Sequence, residues 1–164
     1  MTKPLYCLDA STLIHAWVET YPPGNFSPLW EYIEEAAATE QLISPQDVRE
    51  ELRYPDDLKA WAKQQGEMFR ELEPTVVVSL KEVLEWARDR LAAQRLDFRP
   101  QDLKADPIVV ALARVTDATV VCEEFPPRGA TGRPKIPDYC SHFGIRCIRT
   151  VELIQEMGWR FSRR

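Results

Sequence analysis

The sequence predicts an α/β fold, a three-layer α/β/α sandwich around a mainly parallel sheet, with extra helices between residues 27 and 93. Two observations carry this prediction. Short β-branched or apolar runs alternate with longer segments of helical periodicity. Such short β-branched runs separated by helices imply a mainly parallel sheet covered on both faces. The 164 residues contain no internal repeat, so they read as one domain spanning residues 1–164, large enough to bury roughly 70% of its unfolded surface.

The elements follow in order. "PLYCLD" (4–9) is a short strand that ends on an acid, and "STLIHAWVE" (11–19) is a helix. "YPPGNF" breaks the chain with two prolines and a glycine. "SPLWEYIEEAAAT" (27–39) puts Leu29, Ile33, Ala36 and Ala37 on one helical face, with Ser27 as N-cap and Pro28 in the first turn. "QLIS" (41–44) is a second short strand, and "SPQDVREELR" (44–53) starts a helix with Asp47 as the capping-box partner of Ser44. "DLKAWAKQQGEMFREL" (57–72) and "SLKEVLEWARDRLAA" (79–93) are amphipathic, the second opening with Ser79 and Glu82 at capping-box spacing. "ADPIVVALARV" (105–115) is apolar nearly all round, which predicts a buried helix. "ATVVCE" (118–123) and "IRCIR" (145–149) are strands, and "TVELIQEMG" is a last helix stopped by glycine.

Composition excludes several classes. No apolar run reaches about 18 residues, so no membrane span is expected, and "MTKPLYCLD" lacks the apolar stretch of a signal peptide. Cys7 and Cys122 lie in strand-like runs and read as buried thiols of a reducing, cytoplasmic protein. Cys140, His142 and Cys147 are a poor zinc pattern: three ligands with no CxxC spacing. The net charge of −5 argues against a nucleic-acid coat protein, but its distribution is uneven. From Cys122 onward eight Lys/Arg face five Asp/Glu, whereas the rest has 13 against 21. A local contact with a polyanion therefore stays open.

The acids carry the functional signal. In a parallel sheet, ligands gather beyond the C-terminal strand ends. Asp9 ends the first strand, Glu123 and Glu124 follow "TVVC", Asp106 opens the buried helix, and Glu50 and Glu51 lie in "VREEL". Helical phase separates the last two: Glu51 is beside the apolar face of Val48 and Leu52, and Glu50 points to solvent. Converging carboxylates repel, by a few kcal/mol at about 4 Å and an effective dielectric of about 20. A divalent cation removes that cost, and an oxygen-only ligand set selects Mg²⁺ or Mn²⁺. Each acid also has an ordinary reading. Asp9 and Asp106 fit helix N-caps, the latter before a first-turn proline; Glu51 fits a solvated helix face; Glu123 and Glu124 fit strand punctuation. The combination, not any one residue, points to a metal.

With these pieces assembled, the chain resembles the PIN-domain nucleases, the family that includes VapC-type toxins of bacterial toxin–antitoxin pairs, and most closely a PIN-like subfamily catalogued as a domain of unknown function. "YCLDASTLI", "SPQDVREEL", "ADPIVVALA", "TVVCEEF" and "KIPDYCSHFGIRCI" carry the resemblance over nearly the whole chain. It implies a catalytic, metal-binding set of Asp9, Glu51, Asp106 and Glu124, with Ser11 and Asp138 in support. The fourth position departs from the family's Thr-x-Asp: Cys122 replaces the threonine, and the acid is longer by one methylene. Whether Glu123 or Glu124 fills it stays open at this point. The implied activity is hydrolysis of RNA phosphodiesters with Mg²⁺ or Mn²⁺.

In "PPRGATGRPKIP" (126–137), too rich in Pro and Gly for regular structure, Arg128, Arg133 and Lys135 are placed to hold an RNA backbone. The "GATGRPK" within it lacks Walker-A spacing. The expected partners are RNA and an antitoxin protein. Trp61, Trp86 and Trp159 serve either as core residues or as a surface for a homodimer or partner. A haloacid-dehalogenase-type phosphatase needs a second acid where Ser11 stands, and a receiver domain needs an early acidic pair and a late lysine that this order lacks. The alternative from a different class is a catalytically silent PIN-like module that binds RNA or a protein.

Overall fold

Residues 2–162 are described by a computed structural model. Five short strands form one all-parallel sheet: β1 (Tyr6–Leu8), β2 (Leu42–Pro45), β3 (Phe69–Arg70), β4 (Thr119–Val121) and β5 (Cys147–Ile148), in the order β3-β2-β1-β4-β5. The register pairs Cys7 with Ile43 on one side and with Val120 on the other. Cys7, Leu42, Val120 and Val121 are completely buried, consistent with helices on both faces of an α/β/α sandwich.

Around the sheet lie α1 (Ala10–His15), α2 (Pro23–Ala38), α3 (Gln46–Glu51), α4 (Asp56–Gln64), α5 (Pro74–Ala93), α6 (Asp106–Thr116), α7 (Ile136–Phe143) and α8 (Thr150–Met157). The predicted helix 11–19 is α1 continued by a π-helical turn, Ala16–Thr20. Trp17 on that turn packs against Trp30 and Trp61 with ring centroids 4.6 and 5.7 Å away. Trp61 is thus a core residue and not a docking surface. Trp86 stacks on His142, and Trp159 on Tyr32. That contact holds exposed His142 against Trp86; Cys140, His142 and Cys147 form no metal-binding group among the described residues. No described helix is long and apolar enough to cross a membrane.

The extra helices between 27 and 93 are present, with differences in detail. The helix expected to start at Ser27 begins at Pro23, and the chain kinks at Phe26 (φ −128°, ψ 42°), just before the Ser-Pro pair. The predicted helix 57–72 stops at Gln64, and Phe69 and Arg70 form edge strand β3 beside Ser44 and Pro45. Met68 and Phe69 fall seven residues after Trp61 and Ala62, so by periodicity alone they extend the same apolar stripe. Helix α5 starts at Pro74, and Ser79 is no cap: buried within the helix, its hydroxyl accepts from Arg114 at 3.2 Å, and Glu82 pairs with the same guanidinium at 2.9 Å. Both residues dock α5 on α6. Ser44 likewise caps nothing; it lies in β2 and donates its hydroxyl to the Leu8 carbonyl at 2.7 Å.

Candidate metal centre

Because β1 has β2 on one side and β4 on the other, the chain leaves its central strand in two directions, and a crevice opens where the strand order reverses. Asp9 stands at that point, directly beyond Leu8. Its backbone N–H donates to Val121 O at 3.1 Å, and Thr12 Oγ1 donates to the same carbonyl at 2.7 Å. Asp9 is only 2% exposed and makes no side-chain cap to α1; instead it accepts from Ser11 Oγ at 2.7 Å. Burial pushes its carboxyl up to about 6, with Glu124 and Glu51 adding to the rise against the Ser11 bond.

The other acids arrive from three separate segments. Glu51 closes α3 and accepts the Ala105 backbone N–H at 2.7 Å, which ties it to the first turn of α6. Burial raises its pKa. Glu50 is exposed, as helical phase requires. Asp106 is the first residue of α6 and not its cap, and no hydrogen bond reaches its carboxylate among the described residues. Burial first, then the charges of Asp9, Glu124 and Glu51, push it up to about 9. Behind it, the fully buried Tyr139 hydroxyl has no partner among the described residues.

Glu123 and Glu124 separate cleanly. Glu123 Oε1 accepts the Thr150 N–H at 2.8 Å, at the start of α8, whereas Glu124 turns toward Asp9. Ligand atoms of Asp9, Cys122 and Glu124 lie within 4.8 Å of one another. Cys122 sits where a threonine was expected, yet its Sγ still accepts a hydrogen bond, from Glu124 N at 3.2 Å. Contact with Cys147, then burial, drives its thiol pKa far upward.

Asp9, Glu51, Asp106 and Glu124 line one cleft of ≈ 730 Å³, with Ser11 at its floor and Arg128, Arg133 and Lys135 along its wall. The exception is Asp138. It is buried at the start of α7 and accepts the N–H groups of Arg128 (3.0 Å), Gly129 (2.8 Å) and Lys135 (2.8 Å). It does not line the cleft, so any support it gives the four acids runs through the loop it holds. Gly129 and Gly132 adopt φ of 74° and 70°, which a loop returning onto one carboxylate requires. Arg90 and Gln94 of α5 bind Thr131 O and Gly132 O from the other side. Of the three loop cations, Arg133 pairs with Asp102 at 3.5 Å.

Two residues of the cleft escaped the sequence reading. Lys104 has a positive φ of 54° and its charge lowers the pKa of Glu51 and Asp106; a lysine two residues before Asp106 was its only signal. Asp102 was hidden in an irregular stretch, where a 3₁₀ turn (Pro100–Leu103) now carries it.

A divalent ion fits this donor set. Two of the four carboxylates receive no hydrogen bond among the described residues, and the cleft's lining has six acids against four cations, Lys104, Arg128, Arg133 and Lys135. A family model described as a domain of unknown function (DUF4411) matches residues 6–161 of the chain. No curated protein matches it.

Proposed function

The chain belongs to the DUF4411 family, and for this member we propose a metal-dependent ribonuclease that hydrolyses RNA phosphodiesters and acts as the toxin of a toxin–antitoxin pair. The observation that carries the reading is the convergence of Asp9, Glu51, Asp106 and Glu124, drawn from four chain segments, on one cleft with unneutralised charge. Under this reading those four residues hold Mg²⁺ or Mn²⁺. Such ions, when bound, supply a lower pKa for the attacking water and counter-charge for the phosphate and leaving oxygen.

The chain's own groups have distinct tasks. Ser11 fixes one oxygen of Asp9 and leaves the other for the cleft. Glu51 spends Oε1 on Ala105 N and keeps its second oxygen. Asp106 and Glu124 keep both. Arg128 and Lys135 hold the substrate backbone as sequence-independent contacts that salt weakens. An antitoxin would act by covering the cleft.

The test is RNA cleavage by the purified chain with Mn²⁺ or Mg²⁺, beside Asp9→Asn and Asp106→Asn. Metal-dependent cleavage confined to the wild type is expected; equal cleavage by all three proteins would mark a contaminant and remove the proposal.

A further inference from the structure

A second charged surface lies beyond the acidic cleft. A cleft of ≈ 660 Å³ over α3 and α4 is lined by Arg49, Arg53, Lys59 and Lys63, with Glu50 and Asp56 as its acids. None of these four cations forms an ion pair among the described residues: Arg49 lies 5.8 Å over the Phe69 ring, and Arg53 donates to Glu50 O. In a chain of net charge −5, four cations against two acids in one depression is a local reversal. The surface is also connected. A third cleft of ≈ 520 Å³ shares Glu50 and Arg53 with it, and Ile14, Glu51 and Lys104 with the acidic centre.

We infer that this surface is the outer half of a binding track for single-stranded RNA, running from Arg128 and Lys135, across the four acids and Lys104, to Lys59 and Lys63. The inference rests on the ribonuclease reading of the central cleft. Cations stand on both sides of that cleft, as a strand crossing it requires, and Lys59 and Lys63 are one helical turn apart on α4. Tyr54, in the lining of the outer cleft, is 78% exposed. An isolated exposed ring suits stacking by unpaired bases, which a duplex keeps inside its stack.

The experiment measures binding of a fluorescent 12-nucleotide single-stranded RNA, a 4-nucleotide RNA and a 12-base-pair duplex RNA. The Asp9→Asn protein is used, so that the strand stays intact. The 12-mer is expected to bind more tightly than the 4-mer and the duplex. Adding Lys59→Glu with Lys63→Glu weakens the 12-mer about tenfold or more, lowers its salt slope by about 1.4 and leaves the 4-mer within about twofold. Tyr54→Ala weakens the 12-mer about tenfold without changing the slope. Both sets of residues are exposed, so the fold is retained.

Unchanged 12-mer affinity and slope in the double variant overturn the track, as does tighter binding of the duplex. So does capture of a polyglutamate peptide at Lys59 and Lys63 in place of RNA. Mn²⁺-dependent cleavage by the wild type reports separately on the central cleft. Cleavage with no effect of Lys59 and Lys63 sinks the track alone; their effect on binding without cleavage keeps the track and sinks the nuclease.

Discussion

The first turns of α6 and α7 each present an aspartate beside the same cleft, and the two are treated in opposite ways. Asp138 on α7 receives three backbone N–H groups from a loop that folds back onto it. Asp106 on α6 receives none among the described residues and faces three further carboxylates. Both positions follow the same local rule, an acid near a helix N-terminus. What differs is where the compensating charge comes from. The α7 region is completed by its own chain. The α6 region places a carboxyl among three others with no backbone donor from the described residues.

The comparison breaks most sharply at the acids of the cleft. Asp106→Asn or Asp9→Asn is expected to lower Mn²⁺-dependent RNA cleavage about a thousandfold, read as initial rates against the wild type. Asp138→Ala has the complementary effect. It leaves three loop N–H groups unpaired and is expected to cost about 3 kcal/mol in urea unfolding, while a Mn²⁺ titration shows the metal still bound.

The α6 region also carries a pH response whose sign follows from Asp106. Asp106 has its carboxyl raised to about 9, so its stabilising contribution is complete below about pH 4 and is lost as pH rises toward 9. Without metal, the wild type should therefore melt at lower temperature at pH 8 than at pH 5. Asp106→Asn should remove much of that slope and gain on the order of 2 kcal/mol at pH 7. A wild-type melting temperature that climbs with pH in EDTA would contradict this.

Smaller effects sharpen the contrast. Glu51→Gln keeps an acceptor for Ala105 N but loses the charge, so the fold should survive while Mn²⁺ affinity drops about tenfold, by calorimetry. Glu123 lines the cleft but gives Oε1 to the first turn of α8, so the effect of Glu123→Gln falls mainly there. The substitution should cost about 0.5 kcal/mol and change Mn²⁺ affinity less than twofold.

The α/β class with its mainly parallel sheet was legible, though not the strand order, and the candidate acids stood out because most sit at a boundary the sequence marks: strand to helix at Asp9, an apolar helix at Asp106, a β-rich run before Glu124. Glu51 could be preferred over Glu50 from helical phase alone. The choice of Glu124 over Glu123 could not be made that way, since it depends on a hydrogen bond to Thr150, 27 residues away. How Asp138 acts was not legible for a related reason: its donors belong to a loop whose path is set by two left-handed glycines and by α5. Strand β3 was lost to periodicity, because Met68 and Phe69 continue the stripe of α4 at helical spacing. Ser79 and Ser44 were misread as caps because a serine bound across elements looks, in sequence, the same as one bound to its own helix.

The basic loop is tethered at its tip to the inserted helix α5 through Arg90 and Gln94, and nearer its ends to Asp138 of α7. The geometry of α5 therefore sets where the loop tip and the adjacent Arg133 stand relative to the acids, while Asp138 fixes Arg128 and Lys135. One added helical turn shifts an attachment point by about 5.4 Å, close to the spacing between neighbouring nucleotides. On the ribonuclease reading, substrate preference is thus adjustable by resizing a helix remote from the acids, with every carboxylate left untouched.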